Sequence, residues 1–139
     1  MRQTRYWTIW VIVPLAMLAG CGGSGLELAP VSGRVMLDGQ PILGARLVFQ
    51  PEASGSPSYG STDRDGRYEL GYKRGQKGAL IGWHTVRIES ATELTKPDGK
   101  TIWRPKPLPA RYNVQSDLRR DVKADEDNNF DFDLKSEAK

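Results

Sequence analysis

The chain of 139 residues holds one cysteine, Cys21, and one histidine, His84. A lone cysteine excludes a disulfide framework and a cysteine-based zinc site. A lone imidazole excludes a multi-histidine metal centre and any mechanism that needs two histidines. Gly 15 and Pro 9 are too few for collagen and too many for a helical bundle. Charge of one sign is also scarce: 20 Lys+Arg stand against 17 Asp+Glu, for a net +3. Two of those bases, Arg2 and Arg5, lie in the first 20 residues, so the remaining 119 carry 18 against 17, or +1. A balance that close to zero gives no support to a nucleic-acid partner. Long apolar runs are absent as well. The one apolar stretch, Trp10 to Leu18, falls short of the roughly 20 residues that a spanning helix requires.

That stretch has the length of a secretory hydrophobic region, and the positive, acid-free start Met1-Arg2-Gln3-Thr4-Arg5 precedes it. It ends in Leu18-Ala19-Gly20-Cys21, which resembles the lipobox of bacterial lipoproteins. The resemblance implies diacylglycerol on the Cys21 sulfur, cleavage before Cys21 and acylation of the new amino group. Membrane lipid is then the first expected partner. Small residues suit an extended backbone in a peptidase cleft, and acylation removes a thiol that has no partner. Several acyl chains, each contributing about 0.8 kcal/mol per buried CH₂, anchor a chain without a spanning helix. Gly22 stands where an Asp would direct retention at the inner membrane, so the expected address is the outer membrane, facing the periplasm.

Residues 1–20 are thus expected to be a signal peptide and 21–29 a flexible tether opening with Gly22-Gly23-Ser24-Gly25. One domain is expected over 30–135, with a short tail at 136–139. Its pattern is period two with turn signals between, which predicts an all-β sandwich or barrel. Val31, Gly33, Val35 and Leu37 alternate with Ser32, Arg34 and Met36; Ala45, Leu47 and Phe49 alternate with Arg46, Val48 and Gln50. Asp38-Gly39 and Thr62-Asp63-Arg64-Asp65-Gly66 read as turns. Ser54–Ser58 reads as a small-residue loop, Arg67–Leu70 as a strand, Gly82–Ala91 as the longest strand and 92–111 as a long loop. Leu118 to Val122 and a segment bearing Phe130, Phe132 and Leu134 complete seven strands. Val35, Leu47, Phe49, Tyr68, Val86, Ile88, Phe130 and Phe132 are expected to be buried.

Several segments together resemble the carboxypeptidase-regulatory-like domains: Val31-Ser32-Gly33-Arg34-Val35, Leu37-Asp38-Gly39-Gln40-Pro41, Gly44-Ala45-Arg46-Leu47-Val48-Phe49, Thr62-Asp63-Arg64-Asp65-Gly66-Arg67-Tyr68 and Gly82-Trp83-His84-Thr85-Val86-Arg87-Ile88. The ending, Pro109-Ala110-Arg111-Tyr112-Asn113 and then Asn128-Asn129-Phe130-Asp131-Phe132-Asp133-Leu134, is similar to that of small planctomycete-type lipoproteins. The resemblance implies a seven-stranded transthyretin-like (prealbumin-like) Greek-key β-sandwich without catalytic residues or cofactor. It also brings a hydrolase branch to mind, which uses several histidines and a Tyr-Arg-Gly-Ser-type C-terminus. This chain has one histidine and ends Leu134-Lys135-Ser136-Glu137-Ala138-Lys139. Some related adhesin domains carry a Lys–Asn crosslink, which needs a lysine on the first strand; Arg34 stands there instead, and Asn128 and Asn129 read as turn residues.

Four candidate sites remain. His84 shares a face with Val86 and Ile88, and so reads as a packed core histidine. Asp63-x-Asp65-Gly66 looks like the start of a calcium loop but lacks the downstream bidentate Glu, and with Asp125-Glu126-Asp127 it reads as solvated turns rather than a metal site. Cys21, with Leu18, Ala19 and Gly20, is the lipidation site. The fourth lies within 95–111, where Lys96, Lys100, Arg104, Lys106 and Arg111 oppose Asp98 alone, a local +4 around Trp103. Such a loop suits an envelope protein or an acidic glycan, with Trp103 packing on the sandwich as the simpler role. The expected function is a membrane-anchored, non-catalytic binding or structural module; the alternatives are a small transthyretin-type hydrolase and a subunit of a larger cell-envelope complex.

Overall fold

The structure, a computed structural model, describes residues 26–91, 94–103 and 105–137. Among these the chain is all-β, with thirteen short strands, two 3-10 turns and no α-helix. β1 (Leu28–Ala29), β2 (Val31–Leu37), β3 (Gln40–Pro41), β4 (Arg46–Pro51), β5 (Ser58–Ser61), β6 (Arg67–Glu69) and β7 (Ala79–Leu80) precede the long β8 (Gly82–Glu89). β9 (Leu94–Thr95), β10 (Thr101–Trp103), β11 (Arg119–Val122), β12 (Asn128–Asn129) and β13 (Phe132–Leu134) follow it.

One sheet is antiparallel, in the order β11-β8-β4-β5. Alternation along β4 and β8 sends Leu47, Phe49, His84, Val86 and Ile88 to one face, and all five are buried. Val48 faces the other way yet is also buried, flanked in the ladder by Tyr59 and Arg87. The second sheet is built around β2. On one edge β6 and then β3 pair with it antiparallel; on the other, β12 and then β13 pair with it parallel. The last strands therefore close the sheet against nearly the first. Such contacts are remote in sequence and carry a high loop-closure cost during folding.

The junction between β12 and β13 shows why the glycine of β2 is required. The Phe130 N–H donates to the Ser32 carbonyl at 2.9 Å, and the Tyr68 hydroxyl donates to the Phe130 carbonyl at 2.6 Å. A Cβ on Gly33 would lie 2.0 Å from that same carbonyl oxygen. One residue on, the Asp131 side chain takes over as acceptor for the Arg34 N–H at 2.9 Å. Gly66 answers a different need. It sits at φ +74° in the turn before β6, and its carbonyl accepts the Val35 N–H at 2.8 Å.

The two sheets meet through aromatic rings. Phe49 of β4 lies 6.4 Å from Tyr68, 6.3 Å from Phe130 and 6.4 Å from Phe132, all three from the β2 sheet or its junction. Separations of this size are the usual range for packed aromatic pairs. Seven of the eight residues expected in the core are buried. Phe130 is the correction: it is only partly buried, because it stands where the ladder breaks, and the Arg120 guanidinium lies 5.9 Å from its ring centre. Other details also differ from expectation. Leu28–Ala29 pairs with Leu80–Ala79, although the tether was expected to run through residue 29. Ser58, placed in a loop, opens β5. The long loop expected at 92–111 contains the β9–β10 hairpin and a 3-10 turn at Ala110–Tyr112.

Candidate partner-binding hairpin and lipidation motif

Strand β8 gives the domain a long axis and two distinct ends. At its start, β7 pairs with β1 and the Ile81 N–H donates to the Glu27 carbonyl, so the chain enters the fold beside Gly82. The eight residues of β8 then run to Glu89, roughly 23 Å away at about 3.3 Å per residue. The hairpin follows at that far end. Its surroundings are tied to β8 by Ser90, whose hydroxyl donates to the Lys106 carbonyl at 3.2 Å and accepts the Leu108 N–H at 2.8 Å.

The hairpin turn is Lys96-Pro97-Asp98-Gly99-Lys100. The Lys96 N–H donates to the Lys100 carbonyl and the Gly99 N–H to the Lys96 carbonyl, each at 2.9 Å. Asp98 Oδ1 accepts the Lys100 N–H, so the local acid is partly engaged in shaping the turn. Lys96, Lys100 and Lys106 are exposed, and no described residue forms an ion pair with Lys96 or Lys100. Ile102 beside them is 57% exposed. Trp103 is half-buried, its ring reaching toward Gly44: a Cβ on Gly44 would lie 4.0 Å from Trp103 Cη2 and 3.0 Å from the Ala91 methyl. The far edge of its indole thus lies near the chain at Gly44. Arg104 lies outside the described residues, as do Leu18, Ala19, Gly20 and Cys21.

At the opposite end, Asn128 ties three segments together. Its Nδ2 donates toward the carbonyls of Pro30, Lys123 and Glu126 at 3.1, 3.0 and 3.1 Å, and its Oδ1 accepts the Lys123 N–H at 2.8 Å. The side chain is buried. Sequence reading placed Asn128 in a turn and missed this bracing role; an Asn directly after a run of acids carries no signal of what it will tie together. The two acidic segments also lie at opposite ends. Asp63 caps its own turn, accepting the Asp65 and Arg67 N–H groups at 2.9 Å each beside Gly66, while Asp125 to Asp127 lead into Asn128. They do not converge on a shared cation position.

His84 points into the core, as expected. One ring nitrogen, Nδ1, lies 2.9 Å from the Gly82 carbonyl, and Nε2 is buried without a partner. Burial pulls its pKa below the ordinary imidazole value, against smaller opposing effects from the Gly82 carbonyl, Glu52 and Asp121. Glu52 forms a bidentate pair with Arg119 at 2.6 and 2.7 Å, which holds its carboxyl below the usual range. Arg119 also lies 4.6 Å over the exposed Trp83 ring. An open cleft of about 720 Å³ is lined by Ser32, Arg34, Ser61, Asp63, Arg67, Glu69 and Asp131 among others. Asp63 and Asp131 are engaged with backbone amides, and the one imidazole is in the core rather than in this cleft. Among the described residues no group of three or more His, Cys, Asp or Glu is placed to hold a metal ion, and no helix is long and apolar enough to cross a membrane.

No family model matches this chain, and no curated protein matches it. Among solved structures, two of the major pilin subunit of Bacillus cereus are similar to it over 78% of this chain and 29% of the pilin, at 11% identity and a TM-score of 0.47. A 9R-lipoxygenase from Cyanothece is similar over 78% of this chain and 16% of the enzyme, at 18% identity and a TM-score of 0.37. The chain therefore spans less than a third of the length of either protein.

Proposed function

We propose that this protein is a membrane-anchored envelope lipoprotein whose β-domain serves as a non-catalytic binding or structural module. The observation that carries the reading is the ordered N-terminal pattern: Arg2 and Arg5, one apolar stretch, then Leu18-Ala19-Gly20-Cys21. The address that follows is the outer membrane, facing the periplasm. We assign the domain to the seven-stranded transthyretin-like Greek-key sandwich, with the shorter strands as edge and loop pairings of that frame. Two sheets meeting through Phe49 and a C-terminal strand returned beside β2 support the assignment. A non-catalytic role is supported by where the polar chemistry sits. His84 is sealed in the core, and Thr62, Asp63 and Asn128 have their side chains engaged with backbone groups.

The experiment is expression of the full chain and of Cys21→Ser in a Gram-negative host, with the mature mass and the membrane fraction measured. The wild type is expected to begin at an acylated Cys21 and to fractionate with membranes. The variant should remain as precursor or appear in the soluble fraction. An unchanged mass and unchanged membrane association in Cys21→Ser would refute lipidation.

A further inference from the structure

Three large apolar side chains stand exposed where the chain enters the fold: Leu26 at 62%, Ile81 at 37% and Trp83 at 49%. Their proximity follows from the backbone. The Ile81 N–H donates to the carbonyl of Glu27, the neighbour of Leu26, and Leu28 pairs with Leu80 in the same ladder. Trp83 follows Ile81 by two residues, at most about 7 Å of chain. Ala79, Leu80 and His84 are buried, so Ile81 and Trp83 are what this stretch leaves to the outside. One face of the Trp83 ring lies 4.6 Å from the Arg119 guanidinium, which is fixed in turn by its bidentate pair with Glu52. The ring is thus held by an exposed ion pair rather than packed into the core. Acids surround the cluster. β11 ends at Val122 opposite Gly82, so the exposed turn Asp125-Glu126-Asp127 that follows it lies at this end, as does exposed Glu27. Lys123 is the base beside that turn, and Lys77 is engaged with Glu69 at 3.9 Å.

We propose that Leu26, Ile81 and Trp83 form a docking patch that seats the domain on a zwitterionic lipid surface. The proposal rests on the lipid-anchor reading, which supplies the occupant. From Cys21 to Leu26 is five residues, at most about 18 Å of chain, so an acylated Cys21 keeps the patch within that reach of the bilayer. Over so short a tether the membrane is at high effective concentration, and a patch too small to capture free vesicles holds once anchored. Trp suits the boundary between lipid and water, with an apolar body and one polar N–H. Leu26 and Ile81 add apolar area that gains from leaving water. The charges set the class of surface. Glu27 and the Asp125-Glu126-Asp127 turn are repelled by anionic headgroups, so the contact is apolar and indifferent to salt. A protein partner is disfavoured by size: a stable interface needs about 800 Å² and 20–30 residues a side, and three apolar side chains beside an acidic turn offer less.

The test uses the full chain, expressed in a Gram-negative host and reconstituted from neutral detergent into phosphatidylcholine vesicles. The vesicles are made with and without lipid brominated near the headgroup, which quenches tryptophan on contact. Cleavage before Cys21 removes Trp7 and Trp10 and leaves Trp83 and Trp103. Trp103→Phe then reports on Trp83 alone and Trp83→Phe on Trp103 alone, with melting curves showing that both fold. Brominated lipid should lower Trp83 emission at least about twofold, since the ring sits at the lipid boundary. Trp103, beyond the far end of β8, should stay within about a tenth of its unquenched value. Salt raised from about 0.05 to 0.5 M should change neither result. Adding Leu26→Ser and Ile81→Ser to the Trp103→Phe chain should remove roughly half or more of the Trp83 quenching. Equal quenching of the two tryptophans overturns the proposal, as does Trp83 quenching that the serines leave unchanged. Quenching that appears only with phosphatidylglycerol and vanishes with salt overturns it in favour of electrostatic attachment. Blue-shifted Trp83 emission without quenching would mean that a protein surface covers the patch, and overturns it too. The mass of the same sample separates the two readings. An acylated chain with unquenched Trp83 refutes docking alone, while a chain without acyl groups refutes the anchor, and docking falls with it.

Discussion

The two ends of the β8 axis are built on different principles. At the entry end, β1 is paired to β7, Asn128 bridges Pro30, Lys123 and Glu126, and His84 is sealed against Phe49 at 6.0 Å. The bond from Asn128 to the Pro30 carbonyl joins residues 98 apart in sequence. At the hairpin end, the bonds that shape the turn are local, Trp103 leans toward Gly44, and Lys96 and Lys100 form no ion pair with any described residue. The contrast teaches where the fold is held and where its surface is left available. Substitutions at the bracing residues of the first end should cost stability, and substitutions at the second should cost little.

The largest effect is expected in the seam that runs between the ends. Phe132→Ala should lose about 3–5 kcal/mol in denaturant unfolding, because its ring is buried against Phe49 and Tyr68. Phe130→Ala should lose roughly half as much, since part of its ring already meets water. Equal losses at the two positions would mean that the ladder break at Phe130 is less open than described.

Asn128→Ala comes next, at about 2–3 kcal/mol, since it leaves a buried amide and several carbonyls without partners. A cost below about 0.5 kcal/mol would place Asn128 in an ordinary turn.

Acid should act on the same end through His84. Its pKa in the fold is below the roughly 6.5 of the unfolded chain, so the unfolded state binds the proton more readily. Stability from this group is complete above about pH 6.5 and falls with acid until the folded pKa is passed. A unfolding midpoint that decreases across this window, and decreases less in His84→Phe, would bear this out. A flat profile for the wild type would contradict it.

The smallest effect belongs to the hairpin: Lys100→Glu and Ile102→Ala should each change stability by less than about 0.5 kcal/mol. A loss above about 1 kcal/mol at either would erase the distinction between the ends.

Much of the fold was legible because burial has a period. Val35, Leu47, Phe49, Val86 and Ile88 fall at every second position of their strands, and that face of each strand sinks as the pattern requires. Gly66 was legible as part of a turn, whereas only the structure shows that the Phe130 carbonyl requires a glycine at Gly33. Partners remote in sequence were not legible. Nothing in β12 and β13 announces parallel pairing to β2, and nothing around Asn128 announces that it ties down Pro30. The hairpin was a different kind of miss. Lys96-Pro97-Asp98-Gly99-Lys100 is a Pro-Asp-Gly turn with a physical mechanism, but the prolines that follow it, Pro105, Pro107 and Pro109, pointed to an irregular loop. For the candidate site, the lysines and Trp103 could be read from local charge. The exposed cluster of Leu26, Ile81 and Trp83 could not, because its members meet only once β1 is paired with β7.

The central claim is that an acylated Cys21 holds the entry end near the membrane and the hairpin end away from it. Cys21 is the chain's one cysteine, so if it is acylated a second cysteine is the single site for a thiol-reactive dye. Glu27→Cys marks the entry end, where its carbonyl accepts the Ile81 N–H, and Lys100→Cys the hairpin, both at exposed positions. Energy transfer from each dye to an acceptor lipid, in vesicles carrying the anchored chain, measures their distances to the membrane surface. The account predicts one dye per chain, with position 100 lying farther out than position 27 by an average on the order of 20 Å, the length of β8. Two dyes per chain, or equal distances, or position 100 nearer the surface, would contradict it.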